Sequence, residues 1–389
     1  MERSGKIPIL FLGDDIGQAT AGSEQHLSFL LWNLPRERFE VYFALLRNGQ
    51  GLPPDFSPVT PEILNLHSFK KPSEVFQAVR MLRRLIREHS IEIVQAFFPD
   101  SEFLASLAML NGIGCQKVIA RRNMGHSDSR LLLCRNRLTG KLSGSYLVNS
   151  EAIKRRMVLR EHIAPERIKI IYNPVNHKRI AEGMAVPPER SRWGLAEGDL
   201  IVGIVANVRP VKDYQTFLKA AALVAGKVKS SKFMVIGEAD EDYWRDLRPL
   251  TESPQLIDRI VFTGTVANPF PLIRLFDIGV LSSTSEGLSN SLIEYAAAGI
   301  SIVATDVGGN REIVEDGRTG FLVPAKSEAI MADRIVELLE NPEKRREMGA
   351  RGRVAALAKF SQEGVLYEYQ TFYTSLARSG PKGSWGMRG

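Results

Sequence analysis

Apolar residues fall along this chain in two alternating patterns. Short runs such as "IPILFL", "FEVYFALL", "IEIVQAF" and "KVIA" are almost continuously apolar and too short for helices. Between them lie stretches with helical spacing, from Glu24 to Leu34, Ser73 to His89 and Ser101 to Leu110. "SYLVN" and "IKIIY" complete the first half. The second half repeats the style with "LIVGIVA", "FMVIG", "IVFTG", "IGVLS", "SIVAT" and "GFLV". Strands apolar on both faces, alternating with helices, belong to parallel sheets covered on both sides. The expected fold is therefore α/β, with two Rossmann-like halves whose parallel sheets face a central cleft. No period of 20–50 residues recurs, so a repeat architecture is not indicated.

A length of 389 residues suits two domains, each with its own core. The stretch from Asn173 to Asp199 carries Pro174, Pro187 and Pro188 and marks the change between halves. We place the first domain at 1–180 and the second at 181–379, with the last helix able to pack back on the first. Residues 380–389, rich in Gly, Ser and basic residues, read as a fraying tail. The opening apolar run ends at Asp14-Asp15, too short for a signal peptide, and the expected compartment is the cytoplasm. No apolar run approaches the roughly 18 residues of a membrane span. Cys115 and Cys134 alone cannot build a disulfide framework or a four-cysteine zinc site.

Charge is uneven. Residues 1–190 hold 27 Lys and Arg against 19 Asp and Glu, and the remainder 24 against 25. A basic half suits anionic partners, among them nucleic acid, membrane or phosphorylated substrates; an ordinary solvated surface reads the same way. Within it, Ser73–His89 places Val75, Val79, Leu82 and Ile86 on one helical face. Arg80, Arg84 and Arg87 fall on another, with Arg83 beside them. Such a helix can lie on an anionic bilayer or simply cover the sheet.

The densest candidate chemistry is "SEGLSNSLIEYAAAGISIVATDVGG", Ser285 to Gly309. Ser289 and Asn290 are good caps, so Glu286 and Gly287 lie on the loop before a helix and Glu294 lies within it. Free N–H groups and the dipole at that end favour an anion such as a diphosphate. If the whole interval were helical, eight residues would separate the two carboxylates by roughly 12 Å. That is wider than the roughly 5–9.5 Å of a glycosidase pair, and it suits hydroxyls at two places on one long ligand. A surface glutamate plus a solvated helix glutamate fits the spacing equally. In "VANVRPVKDY", Arg209 and Lys212 project from a strand-to-helix loop where phosphate oxygens would be met, or where a basic loop is merely solvated. The loop "GDDIGQATAGSEQH" lacks the G-x-G-x-x-G fingerprint. "GGNREIVEDG" pairs a Gly-Gly turn with Glu312. Asp240-x-Asp242 reads as a helix start rather than a metal site.

These residues resemble a known family. Ser285–Pro324 is similar to the donor-binding signature of glycosyltransferase family 4, the retaining sugar transferases of the GT-B fold. "GSEQHL" resembles the family's Gly-Gly-x-Glu loop, with Ser23 in place of the second glycine, and "VNSEAIKRRM", "IIYNPVN", "ANVRPVKDY" and "VFTGTV" follow in family order. The resemblance implies that Glu286 contacts the donor sugar and Glu294 holds ribose hydroxyls. It implies that Gly287, Leu288, Ser289 and Asn290 meet the sugar-diphosphate end through their backbone. Lys212 would neutralise the leaving diphosphate, Gly22 would lie near the phosphates, and Glu312 would belong to the donor site. The family's arginine five places before that lysine is Asn207 here, with Arg209 as the candidate substitute. Where many members carry a histidine, this chain has Arg121, Arg122 and Asn123, with His126 a little later.

The expected function is thus a metal-independent, cofactor-free, retaining glycosyltransferase. Its donor would be a UDP- or GDP-sugar and its acceptor a surface glycan or lipid-linked precursor. It would work in the cytoplasm or at the inner face of an anionic membrane, without a nucleic-acid partner. A nucleotide-sugar epimerase of the same fold and a non-catalytic bilobal sugar binder are the alternatives.

Overall fold

The computed structural model describes residues 5–16, 22–47, 51–53, 55–110, 113–124, 144–187, 189–266 and 268–379. The chain forms two compact units: Met1–Tyr172 with Val365–Gly389, and Asn173–Gly364. A division after residue 180 would cut the His177–Ala185 helix, which packs on the Phe270–Ile273 and Asn290–Ala298 helices of the second unit. The tail expected at 380–389 and the loop residue His126 lie outside the described residues.

The first unit holds a parallel sheet of β1 (Ile7–Gly13), β2 (Phe39–Leu45), β3 (Glu62–Ile63), β4 (Ile93–Ala96), β5 (Gln116–Arg121), β6 (Ser145–Val148) and β7 (Ile168–Ile170). Their order is β3-β2-β1-β4-β5-β6-β7. Every residue of β1 is buried, and the two-residue period of a strand sorts them by face. Ile7, Ile9 and Phe11 join one cluster with Leu27, Leu30 and Leu31 of the Gly22–Asn33 helix. Leu10 and Leu12 join the opposite cluster, with Ala78, Leu82 and Ile86 of the Pro72–Glu88 helix. The last helix, Gln362–Ser379, returns to this unit and contributes Val365, Tyr369, Tyr373 and Ala377 to the first of these clusters.

The second unit repeats the plan. Its parallel strands are β8 (Leu200–Val205), β9 (Ser231–Ile236), β10 (Ile260–Phe262), β11 (Ile278–Leu281), β12 (Ser301–Thr305) and β13 (Gly320–Val323). Their order is β10-β9-β8-β11-β12-β13. The order reverses between β8 and β11, where a crevice opens at the strands' carboxyl ends. Gly203 and Gly279 face each other across that pair. A Cβ on Gly203 would fall 2.1 Å from the Phe276 ring, and one on Gly279 2.4 Å from the Tyr295 ring. The two bare positions admit aromatic rings against the sheet, and Tyr295 carries the Asn290–Ala298 helix with it. The Tyr295 hydroxyl accepts a 2.6 Å hydrogen bond from Val205 N at the end of β8, fixing that helix beside the crevice.

Candidate active site

Two loops flank the crevice of the second unit. The one after β8 runs through Asn207 and Arg209 into a 3-10 turn, Pro210–Lys212, and then the Tyr214–Lys227 helix. Asp213 caps that helix in a left-handed conformation, its carboxylate accepting from Thr216 N (3.3 Å) and Thr216 Oγ1 (2.7 Å). The loop after β11 is stitched to this turn. Thr284 N donates to Val211 O (2.9 Å), and Ser282 Oγ donates to Lys212 O (2.7 Å). The outcome is a close ion pair, with Lys212 Nζ 2.6 Å from Glu286 Oε1. Ser283 Oγ donates to the same oxygen at 2.6 Å.

Glu286 is only 8% exposed. Its carbonyl is packed by the 308–312 turn, where Gly308 has φ +53° and a Cβ would sit 1.7 Å from Glu286 O. No side chain fits there, so this close approach requires glycine at Gly308. Asn310 fixes the same turn by donating from Nδ2 to Thr305 O (2.9 Å). Glu312 ends the turn, and its carbonyl accepts from Lys359 Nζ at 2.7 Å.

Ser289 caps the Asn290–Ala298 helix, its hydroxyl accepting from Leu292 N. Asn290 opens the helix and accepts from Asn173 Nδ2. Gly287 and Leu288, between Glu286 and the cap, are buried. Glu294 is the fifth residue of the helix, while Glu286 stands ahead of it. The helical rise expected for the whole interval therefore applies only from Asn290 onward. Burial raises the Glu294 carboxyl to about 7, with Arg179 of the His177–Ala185 helix opposing the shift. A carboxyl poised at that value can be tipped to the anion by hydroxyl donors.

The structure thus joins Lys212 and Glu286 directly and sets Ser289, Asn290 and Glu294 on one helix. Arg209 is exposed. The Asn207 side chain binds the neighbouring loop, accepting from Glu238 N at 3.2 Å. Gly22 opens the Gly22–Asn33 helix of the other unit and is exposed. Of the arginines at the end of β5, Arg121 lies 2.6 Å from Glu102, and Arg122 is half-buried and hydrogen-bonded to Tyr369. Asp240 caps the Glu241–Thr251 helix, accepting from Tyr243 N at 3.1 Å, and Asp242 pairs with Arg245. Sequence reasoning missed Ser283, Arg179 and Asn173. The partners of Arg179 and Asn173 are more than a hundred positions away, and no spacing in one sequence signals such contacts; Ser283 meets Glu286 three residues on, but only the turn of the loop aims its hydroxyl there.

Two family descriptions match the chain: Glycosyltransferase Family 4 over residues 20–179 and Glycosyl transferases group 1 over residues 199–341. The GDP-mannose-dependent alpha-(1-6)-phosphatidylinositol monomannoside mannosyltransferase of Mycobacterium tuberculosis is 30% identical over 309 residues, covering 76% of this chain and 78% of that protein. The N-acetyl-alpha-D-glucosaminyl L-malate synthase of Bacillus anthracis is 27% identical over 224 residues, 57% of this chain and 58% of that one. The chain spans about half the length of the first curated relatives it matches, between 44% and 58%. Among solved structures, Anabaena Alr3699/HepE in complex with UDP superposes with a TM-score of 0.82 at 20% identity, covering 95% of this chain and all of that one. That likeness concerns the fold: two Rossmann-like domains of the GT-B type.

Proposed function

We propose, from the premise that this chain belongs to the group 1 glycosyl transferases of family 4, that it moves a sugar from a nucleotide-sugar donor to an acceptor hydroxyl. The observation that carries the reading is the meeting of Lys212, Glu286 and the Asn290–Ala298 helix start at the crevice between β8 and β11. Lys212 and the N–H groups at that helix start face the charge that grows on a leaving diphosphate. Glu286 takes a donor-sugar hydroxyl and Glu294 the ribose hydroxyls. Gly287 to Asn290 lie along the diphosphate, and Asn207, Arg209, Gly22 and Glu312 complete the donor set. Configuration is retained, with the departing phosphate accepting the acceptor's proton, and no metal takes part.

The donor is a UDP- or GDP-sugar. The Mycobacterium relative is named for GDP-mannose and the Anabaena structure holds UDP, so both bases stay in the reading. The acceptor is a surface glycan or lipid-linked sugar, reached at an anionic membrane face. Among the described residues no helix is long and apolar enough to cross a membrane. Incubation with UDP- and GDP-sugars, with and without glycan or lipid-linked acceptors, tests the reading. Acceptor-dependent release of nucleoside diphosphate is expected. Donor isomerisation without acceptor would instead make the chain an epimerase, and binding without turnover a sugar-binding protein.

A further inference from the structure

Glu286 Oε1 has two holders of different kinds. Lys212 Nζ is an ammonium at the end of a long unbranched side chain that is 24% exposed, 2.6 Å away. Ser283 Oγ is a neutral donor with no exposure, also at 2.6 Å. Ser283 is itself fixed, because its carbonyl accepts from Thr305 Oγ1 (2.6 Å) on the last residue of β12. The Glu286 backbone is fixed by the Gly308 turn. The only exchangeable member of this arrangement is therefore Lys212.

Under the proposed function, on which this inference rests, Lys212 must also serve the donor diphosphate. An ammonium has three N–H donors, but a multiply charged diphosphate competes with one carboxylate oxygen for them. As Lys212 turns to the phosphates, Glu286 loses its charged partner beside the donor sugar. We propose that Ser283 is a positioning residue, holding Glu286 Oε1 in place while Lys212 passes from the carboxylate to the diphosphate. The exchange leaves the carboxylate's charge uncompensated beside the donor sugar, on which positive charge develops during transfer. It also makes Glu286 a competitor of the free nucleoside diphosphate for Lys212.

The experiment compares wild type, Ser283→Ala, Glu286→Gln, Glu286→Ala and the Ser283→Ala/Glu286→Ala double variant. Affinity for UDP and GDP is measured by calorimetry, and turnover at saturating donor and acceptor. Ser283→Ala should lower kcat about 10-fold or more, the scale of losing one hydrogen bond to a charged group. Its nucleoside diphosphate affinity should stay within about twofold of wild type. Added to Glu286→Ala, which leaves the hydroxyl no oxygen to hold, it should cause no further loss of turnover. Glu286→Gln should bind the free diphosphate several-fold tighter than wild type, since Lys212 no longer has to leave a carboxylate. Unchanged turnover in Ser283→Ala, equal losses in both backgrounds, or weaker diphosphate binding by Glu286→Gln would overturn the proposal. If Ser283→Ala does not fold, Ser283→Cys keeps the size, replaces a strong donor with a weak one, and should show the same loss. If wild type turns over no donor, the proposed function falls. Ser283 is then decided by urea unfolding of wild type, Ser283→Ala, Glu286→Ala and their double variant, where zero coupling between the two substitutions overturns its hold on Glu286.

Discussion

At the scale of single residues, Lys212 and Glu294 make separable demands. Under the proposed function, Lys212→Ala removes the cation assigned to the leaving group. Loss of one such electrostatic contact costs about 2.7–4 kcal/mol, so turnover at saturating substrates should fall about 100-fold to 1,000-fold. Steady-state turnover equal to wild type would remove Lys212 from the mechanism. Glu294 should show its burial in two pH dependences. Its carboxyl is raised from the ordinary 4.5 to about 7 by desolvation. Its favourable share of stability is therefore complete below the unfolded value and lost as pH rises through about 7. Glu294→Gln cannot ionise, so thermal unfolding of wild type relative to this variant should worsen between pH 5 and pH 8. If Glu294 holds ribose as proposed, the hydroxyls favour its anion, and wild-type affinity for nucleoside diphosphate should drop as pH falls below about 7. In Glu294→Gln that affinity should be weaker and flat with pH, which calorimetry across the same range reads directly.

At the scale of elements, the Pro72–Glu88 helix shows how one basic face divides its work. Ala78, Leu82 and Ile86 are buried, with Val75 and Val79 packed beside them, so the apolar face covers the sheet. Arg83 turns away from its neighbours and donates to Ala108 O (2.8 Å) and Leu110 O (2.9 Å), closing the C-terminus of the Pro99–Ala108 helix. Arg84 pairs with Glu88 along the helix at 2.7 Å. The outward face is Arg80, Arg84 and Arg87 with Phe76, which is 68% exposed. Each arginine near an anionic surface contributes about 1 kcal/mol. Wild type should sediment with phosphatidylglycerol vesicles at low salt and less at high salt. Arg80/Arg84/Arg87→Gln should not sediment, whereas Arg83→Gln should bind normally but unfold earlier. Binding indifferent to lipid charge would remove the membrane from the proposed setting. The Glu241–Thr251 helix carries a different expectation. Asp240 and Asp242 are engaged as cap and ion-pair partner, so transferase activity should persist in EDTA. Loss on chelation, with recovery on magnesium or manganese, would restore the metal reading.

At the scale of the whole molecule, the end of the chain belongs to its beginning. Tyr373 OH donates to Gln95 Oε1 on β4 (2.7 Å), and its ring packs 6.4 Å from Phe11 and 6.1 Å from Phe39. Tyr369 OH lies 2.7 Å from His26 Nε2 and is hydrogen-bonded by Arg122. Burial and the neighbouring Arg122 hold His26 well below its ordinary value, so it is neutral. Truncation after Ser361 should therefore unfold the first unit although the cut adjoins the second. Hydrogen exchange should rise in β1, β2 and β4 while β8, β11 and β12 stay protected. Tyr373→Phe leaves Gln95 short of a partner and should cost about 1–3 kcal/mol, read by urea unfolding. Equal loss of protection in both sheets would make the last helix a common clamp instead.

Local periodicity in the sequence determined the strands, the helices and the doubly wound class, because burial on both faces of a strand leaves a short-range record in residue type. The contiguous run from Glu286 to Glu294 likewise carried its caps and carboxylates in plain order. Tertiary structure decided what each charge meets. Lys212 and Glu286 are 74 positions apart, and His26 and Tyr369 are 343 apart. Arg83 reads like Arg80 in the sequence, yet one caps a helix and the other faces solvent. Ser283 is an ordinary serine until the turn after β11 aims its hydroxyl at Glu286. Strand order and register bring Lys212 to Glu286 and His26 to Tyr369 across crossovers, and those partners follow from the packing rather than from neighbours along the chain.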